Sequence, residues 1–86
     1  MYKVLYHPTV FKFFHKISKK DLQNIISKIE KVSQNPSETG NLDIKKLINT
    51  NSSYRLRYRN FRIVYQLDRT KKIVYIREID FRGNIY

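Results

Sequence analysis

Residues 54–68 show the most regular pattern of hydrophobic and polar positions in the chain, because large apolar side chains alternate there with arginine. Strict alternation is typical of a β-strand with one buried face. The pattern is interrupted at Arg59 and Asn60, and two alternating runs around a two-residue polar break predict a β-hairpin. With this turn, the antiparallel register pairs Tyr58 with Phe61, Arg57 with Arg62, Leu56 with Ile63, Arg55 with Val64 and Tyr54 with Tyr65.

The same register predicts that the apolar side chains share one face of the sheet and the arginines the other, since successive residues of a strand point to opposite faces. The arginines on the second face are Arg55, Arg57, Arg59 and Arg62. Like charges directly opposite each other destabilise a sheet. The Arg57–Arg62 pair therefore costs stability unless a negative group lies between them, which is a first indication of function.

The first seventeen residues predict a short strand and a short helix. Residues 2–7 read as a strand with Val4 and Tyr6 on one face. Pro8 suits the first turn of a helix, and residues 9–16 carry a stripe of valine and phenylalanine.

The clearest helix begins at Ser18, with Asp21 in the position of a capping-box partner. Its apolar residues recur at the spacing of one buried helix face; they are Leu22, Ile25, Ile26, Ile29 and Val32. Asn35 and Pro36 end it, because a residue before proline disfavours the α region. The two helices are expected to form an αα-hairpin.

Residues 36–53 show no regular pattern and are expected to be largely unstructured, with residues 49–53 a loop by composition. Four apolar side chains in this stretch are expected to reach the core: Leu42, Ile44, Leu47 and Ile48. Lys45 and Lys46 precede the arginine-rich hairpin. They either extend a phosphate-binding surface or are two solvated lysines.

Residues 69–72 predict a turn and residues 73–80 a further strand, which is apolar on both faces at its start, as a strand inside a sheet is. Two registers with residues 61–68 stay open: one places Glu78 beside Arg62 and the other places Arg77 there. The elements predict an α+β fold in the order β-α-α-β-β-β, with a small, mostly antiparallel sheet and the αα-hairpin on one face. A single domain spans residues 1–86.

Composition limits the class of protein. The content of 41% hydrophobic and 14% aromatic residues argues against disorder. With no cysteine there is neither a disulfide framework nor a thiolate metal site. No apolar run approaches the roughly 20 residues of a membrane span, and the first residues lack a signal-peptide pattern. We therefore expect a cytoplasmic location.

The charge balance points to a polyanionic partner. Eighteen Lys and Arg against seven Asp and Glu give a net charge of +11, as in proteins that bind nucleic acid. An AT-rich genome could account for many of the eleven scattered lysines. It does not account for the seven arginines, which all lie between positions 55 and 82. Nucleic acid is favoured over an acidic protein or a membrane.

Four segments, together with the order of elements, resemble a known superfamily. They are residues 42–47, 54–58, 60–65 and 82–86. The chain is similar to the RelE/ParE superfamily of toxins of type II toxin–antitoxin systems, and more to its RelE branch, because the last segment carries Arg82 and Tyr86. The resemblance implies an endoribonuclease that cleaves mRNA in the ribosomal decoding site, neutralised by a cognate antitoxin, with no metal or other cofactor. A ParE-like inhibitor of DNA gyrase and a non-catalytic RNA-binding domain are the alternatives.

Carried over position by position, the resemblance implies catalytic roles for Arg55, Arg57, Arg62, Arg82 and Tyr86. The 2′-OH of the RNA would attack the adjacent phosphate. Arg57 and Arg62 are assigned to that phosphate, since the planar guanidinium binds phosphate oxygens in pairs. Arg82 is assigned to the phosphate or the leaving group, and Tyr86 to stacking on a base.

Four further basic residues are assigned to RNA binding: Lys45, Lys46, Arg59 and Arg77. A solvated role for Arg59 and a structural role for Arg77 stay open.

The general base is unassigned. Some relatives carry lysines where this chain has Arg55 and Arg57, and arginine stays protonated under ordinary conditions. Phe81 stands where some relatives have a histidine. Tyr86, Glu78 or a phosphate-bound water remain as candidates.

Overall fold

A computed structural model describes residues 1–36, 40–48 and 52–81. Its elements are β1 (Lys3–Tyr6), α1 (Pro8–Phe14), α2 (Lys19–Gln34), β2 (Asp43–Lys46), β3 (Ser53–Tyr58), β4 (Phe61–Asp68) and β5 (Ile73–Phe81). The strands form a five-stranded sheet in the order β1-β5-β4-β3-β2. β1 runs parallel to β5, and the other neighbouring pairs are antiparallel. The predicted α+β class is confirmed.

The hairpin of β3 and β4 has the predicted register at all five pairs, from Tyr58 opposite Phe61 to Tyr54 opposite Tyr65. Arg59, the first residue of its turn, has φ of 54°. This left-handed conformation is uncommon for a residue with a side chain. The two-residue turn, together with the burial of the apolar face of the flanking strands, sets the register even though the turn lacks glycine.

Strand β2 corrects the prediction for residues 36–53. Asp43–Lys46 is a strand that pairs with β3, with Asp43 opposite Arg57 and Lys45 opposite Arg55. Four residues with a single apolar side chain carry no strand pattern of their own, so the pairing with β3 decides their conformation. Leu42 and Ile44 pack against the core as expected, whereas Ile48 is exposed, contrary to prediction.

The register of β5 also differs from both predicted possibilities. Asp80 lies opposite Arg62, and Glu78 lies opposite Val64. The register shifts by one residue next to Val64 and Tyr65, so Arg77 is the extra residue of a β-bulge. The turn at residues 69–72 alone would not reveal this shift, because the bulge lies in the middle of the strand.

Both helices pack on the same face of the sheet and bury the apolar face of the hairpin. The buried core combines Val10 and Phe13 of α1 and three residues of α2 with the inward side chains of β3, β4 and β5. Helix α2 begins as predicted, because the Ser18 hydroxyl accepts a hydrogen bond of 3.0 Å from the backbone N–H of Asp21. Of the helices in the described part of the chain, none has the length and apolar character that crossing a membrane requires.

Candidate functional site

The candidate site is the face of the sheet that points away from both helices, here called the open face. Leu56, Phe61 and Ile63 are buried in the core beneath the helices. Since side chains alternate along a strand, Arg55, Arg57 and Arg62 lie on the open face. The predicted separation of apolar and arginine side chains onto two faces is confirmed for these three arginines.

Two neighbouring rows of residues cross the open face from β2 to β5. The first row is Asp43, Arg57, Arg62 and Asp80, each directly opposite the next. The second row is Lys45, Arg55, Val64 and Glu78. In the first row the two arginines are adjacent and an aspartate stands at each end. Opposite charges across strands stabilise a sheet, so the aspartates offset the repulsion between Arg57 and Arg62.

Asp43 pairs with two arginines at once. Arg55 Nη1 donates a hydrogen bond of 3.2 Å to Asp43 Oδ1, and Arg57 Nε lies 3.1 Å from Asp43 Oδ2. The hydrogen bond from Arg55 and the positive charges of both arginines hold the pKa of Asp43 below its ordinary value, against a smaller opposing effect of desolvation. The carboxylate is therefore ionised at neutral pH.

The three arginines differ in how much of each reaches solvent. Arg62 is 3% exposed and Arg55 is 6% exposed, whereas the side chain of Arg57 is 31% exposed. Arg57 is thus the one of these three best placed to contact a bound anion directly. Arg55 and Arg62 contribute positive charge from beneath the surface, where charges are less screened by water and salt.

The residues assigned to RNA binding fall in different places. Lys45 lies on the open face beside Arg55, and Lys46 lies opposite Tyr54 on the other face. Arg59 is exposed at the hairpin turn, with its guanidinium carbon 5.5 Å from the centre of the Tyr58 ring.

Arg77, the bulged residue, lies on the open face near the two rows. Its Nη1 donates a hydrogen bond of 3.0 Å to Gln66 Oε1, and its guanidinium lies 5.3 Å from the centre of the Tyr75 ring. Arg82 and Tyr86, which were assigned to catalysis, lie outside the described residues.

Sequence reasoning missed the acidic members of the first row. Asp43 stands in a segment that was expected to be largely unstructured, and Asp80 lies opposite Arg62 only because of the bulge. The candidate base Glu78 is exposed on the open face, in the row next to Arg57 and Arg62. Among residues 1–36, 40–48 and 52–81, no three His, Cys, Asp or Glu side chains cluster closely enough to hold a metal ion.

Comparison with known proteins identifies the family. Residues 4–86 match the model described as the ParE toxin of the type II toxin–antitoxin system parDE. The chain belongs to this family. It is a type II toxin of the RelE/ParE superfamily, as the sequence motifs predicted. The search of curated proteins finds no significant match.

Solved structures of RelE toxins share the fold. The RelE–RelB complex of Pyrococcus horikoshii OT3 superposes with a TM-score of 0.84 at 24% identity, over 96% of this chain and 97% of that chain. The RelB–RelE complex of Methanococcus jannaschii gives 0.78 at 26% identity, over 95% and 94%. The intact RelBE complex of E. coli gives 0.77 at 20% identity, over 94% and 96%.

Proposed function

We propose that this toxin is an endoribonuclease that cleaves mRNA in the decoding site of the ribosome. The observation that supports the proposal best is that Arg55, Arg57 and Arg62 lie in two adjacent rows on the open face, opposite the helices. A face of this kind suits a phosphate that gains negative charge in the transition state. The likeness in fold to RelE toxins further supports it.

In the proposed reaction the 2′-OH of one nucleotide attacks the adjacent phosphate, which leaves a 2′,3′-cyclic phosphate and a 5′-OH. Arg57 contacts the phosphate oxygens, because its side chain is the most exposed of the three. Arg62 and Arg55 stabilise the developing charge from beneath. Arginine cannot accept a proton, so proton transfer needs another group. We assign this role to the carboxylate of Glu78, which is exposed on the open face. Arg82 contacts the phosphate or the leaving group, and Tyr86 stacks on a nucleobase.

The test is to induce the toxin in cells and map mRNA ends by primer extension. Cuts inside translated codons are expected. Arg57→Ala, Arg82→Ala and Tyr86→Ala should each reduce cleavage by about a hundredfold, the usual cost of removing one group that stabilises the transition state. Arg69→Ala removes the same charge from the exposed turn between β4 and β5 and should leave cleavage within about twofold. Full cleavage by the Arg57 variant would refute the site.

Inhibition of DNA gyrase is the second candidate, because the matching family model is that of a ParE toxin. Under this alternative, induction breaks DNA while mRNA stays intact, and the purified toxin inhibits supercoiling. If RNA is bound but neither mRNA nor gyrase is affected, the protein is an RNA-binding domain without catalysis, and the nuclease proposal is wrong.

We further propose a protein antitoxin as partner, since the similar RelE structures are complexes with RelB. A net charge of +11 favours an acidic antitoxin. Co-expression of a short acidic reading frame encoded beside the toxin should restore growth and yield a complex that purifies as one species. Continued growth arrest with both proteins present would exclude that antitoxin.

A further inference from the structure

Asp43 holds the two arginines in the way that a phosphate would. Its two oxygens are shared between two guanidinium groups, with Oδ1 3.2 Å from Arg55 Nη1 and Oδ2 3.1 Å from Arg57 Nε. Arg55 donates a hydrogen bond in this contact, whereas Arg57 Nε makes an ion pair without hydrogen-bond geometry. Guanidinium groups bind phosphate through the same attraction between N–H groups and anionic oxygens. The Asp43 carboxylate thus occupies a position between two guanidinium groups that could also bind two oxygens of a phosphate.

In this contact the arginine side chains are more buried than the aspartate side chain. The side chain of Asp43 is 55% exposed, against 8% for Arg55 and 31% for Arg57. Asp43 also begins a four-residue strand at the end of the sheet order. Water can therefore solvate the Asp43 carboxylate if it rotates away from the arginines. Breaking the ion pair then costs little free energy, because the pair is partly exposed to solvent. The largely buried Arg55 has less freedom to leave.

We propose that the Asp43 carboxylate occupies the phosphate-binding position in the free toxin and that the substrate phosphate displaces it. In the free toxin it neutralises Arg55 and Arg57 and reduces the repulsion between Arg57 and Arg62. Because it competes with the substrate, it lowers the affinity of the site for phosphate. This inference rests on the proposed function, since it assumes that the open face receives a phosphate.

The test measures binding of inorganic phosphate to the purified toxin by NMR titration at neutral pH and constant ionic strength. Asp43→Asn keeps the shape of the side chain and removes its charge. The affinity for phosphate is expected to rise about fivefold or more, because a unit charge about 4 Å away changes an equilibrium by that factor even in bulk water. A purely structural role for Asp43 would lower thermal stability and leave this affinity unchanged.

Asp68→Asn is the matched control, with the same substitution and the same change in net charge. Asp68 lies on β4, six residues from Arg62, which places it about 20 Å along the strand and beyond the screening length of about 8–10 Å. Its Oδ1 accepts a hydrogen bond from the Lys71 N–H, which an asparagine can also accept. The control should change the affinity for phosphate less than twofold.

The unmodified protein supplies a second measurement if the Asp43 variant does not fold. Adding phosphate should shift the carboxyl carbon resonance of Asp43 and leave that of Asp68 in place. Four results would each overturn the proposal. In the unmodified protein, the result is an Asp43 resonance that does not shift. In the variants, it is phosphate binding that is unchanged or weaker in Asp43→Asn, an equal gain in affinity in Asp68→Asn, or no phosphate binding in any variant. These results need no ribosome, so they are independent of the cleavage assay.

Discussion

Replacing Phe61 by alanine is expected to be the most damaging single change in the described core. Phe61 is 2% exposed and joins the hairpin to α1 and β5. Its ring centre lies 6.0 Å from that of Phe13, 5.5 Å from that of Phe81 and 6.2 Å from that of Tyr58. The substitution removes three ring contacts and leaves a cavity beside the turn formed by Arg59 and Asn60.

The expected loss follows from this burial. A buried Phe→Ala change costs about 3–5 kcal/mol through lost transfer free energy and the cavity. A domain of 86 residues has a free energy of unfolding of roughly 4–13 kcal/mol at 0.05–0.15 kcal/mol per residue. The variant therefore loses a large part of its stability. Phe61→Leu keeps most of the apolar volume and loses the ring pairs, at about 0.5–1.5 kcal/mol each, so it should fall between alanine and the unmodified protein.

Urea unfolding followed by circular dichroism measures the loss directly. Phe11→Ala is the control, because it deletes the same atoms from a side chain that is 51% exposed, and it should cost less than about 1.5 kcal/mol given the range for burying a phenylalanine. Equal losses for the Phe61 and Phe11 alanine variants, at similar urea dependence, would refute the packing argument.

Three further predictions concern a helix cap and two titrating groups. Ser18→Ala should lower the free energy of unfolding by about 1 kcal/mol, because the Asp21 N–H loses its acceptor; Ser18→Asp should restore it. The lowered pKa of Asp43 means that its ion pairs stabilise the fold above the ordinary value of 3.8 and stop doing so as pH falls through the lower folded value; thermal melts of Asp43→Asn should fall less steeply below pH 4. Burial raises the pKa of Tyr65 above 10.0, so stability present below pH 10 is lost as pH rises beyond it. Tyr65→Phe should therefore keep more of its melting temperature from pH 10 to 12, and equal decline in both proteins would contradict the assignment.

Local pattern was enough to predict the hairpin. Strict alternation identified both strands and the face of each residue, and the two-residue break set the register that the structure confirms at every predicted pair. Helix α2 was equally clear, because its apolar spacing and the cap at Ser18 are encoded within a few residues. The arginine cluster on the open face followed from the same alternation.

Pairing between distant segments could not be predicted in the same way. β2 carries one apolar residue and becomes a strand through β3. The bulge at Arg77 places Asp80 opposite Arg62, where an uninterrupted ladder from Asp68–Ile73 would place Ile79. Both changes bring a carboxylate beside an arginine, and neither Asp43 nor Asp80 was predicted as that neighbour.

Alone, the sequence determined the elements whose stabilising contacts are local: the alternating hairpin, the capped helix and the side of the sheet on which the arginines lie. The tertiary structure decided which acidic residues stand next to those arginines and how deeply each guanidinium is buried. The physical reason is that charge neutralisation and desolvation depend on which strands become neighbours, and that choice is made by packing across the whole sheet rather than within any one segment.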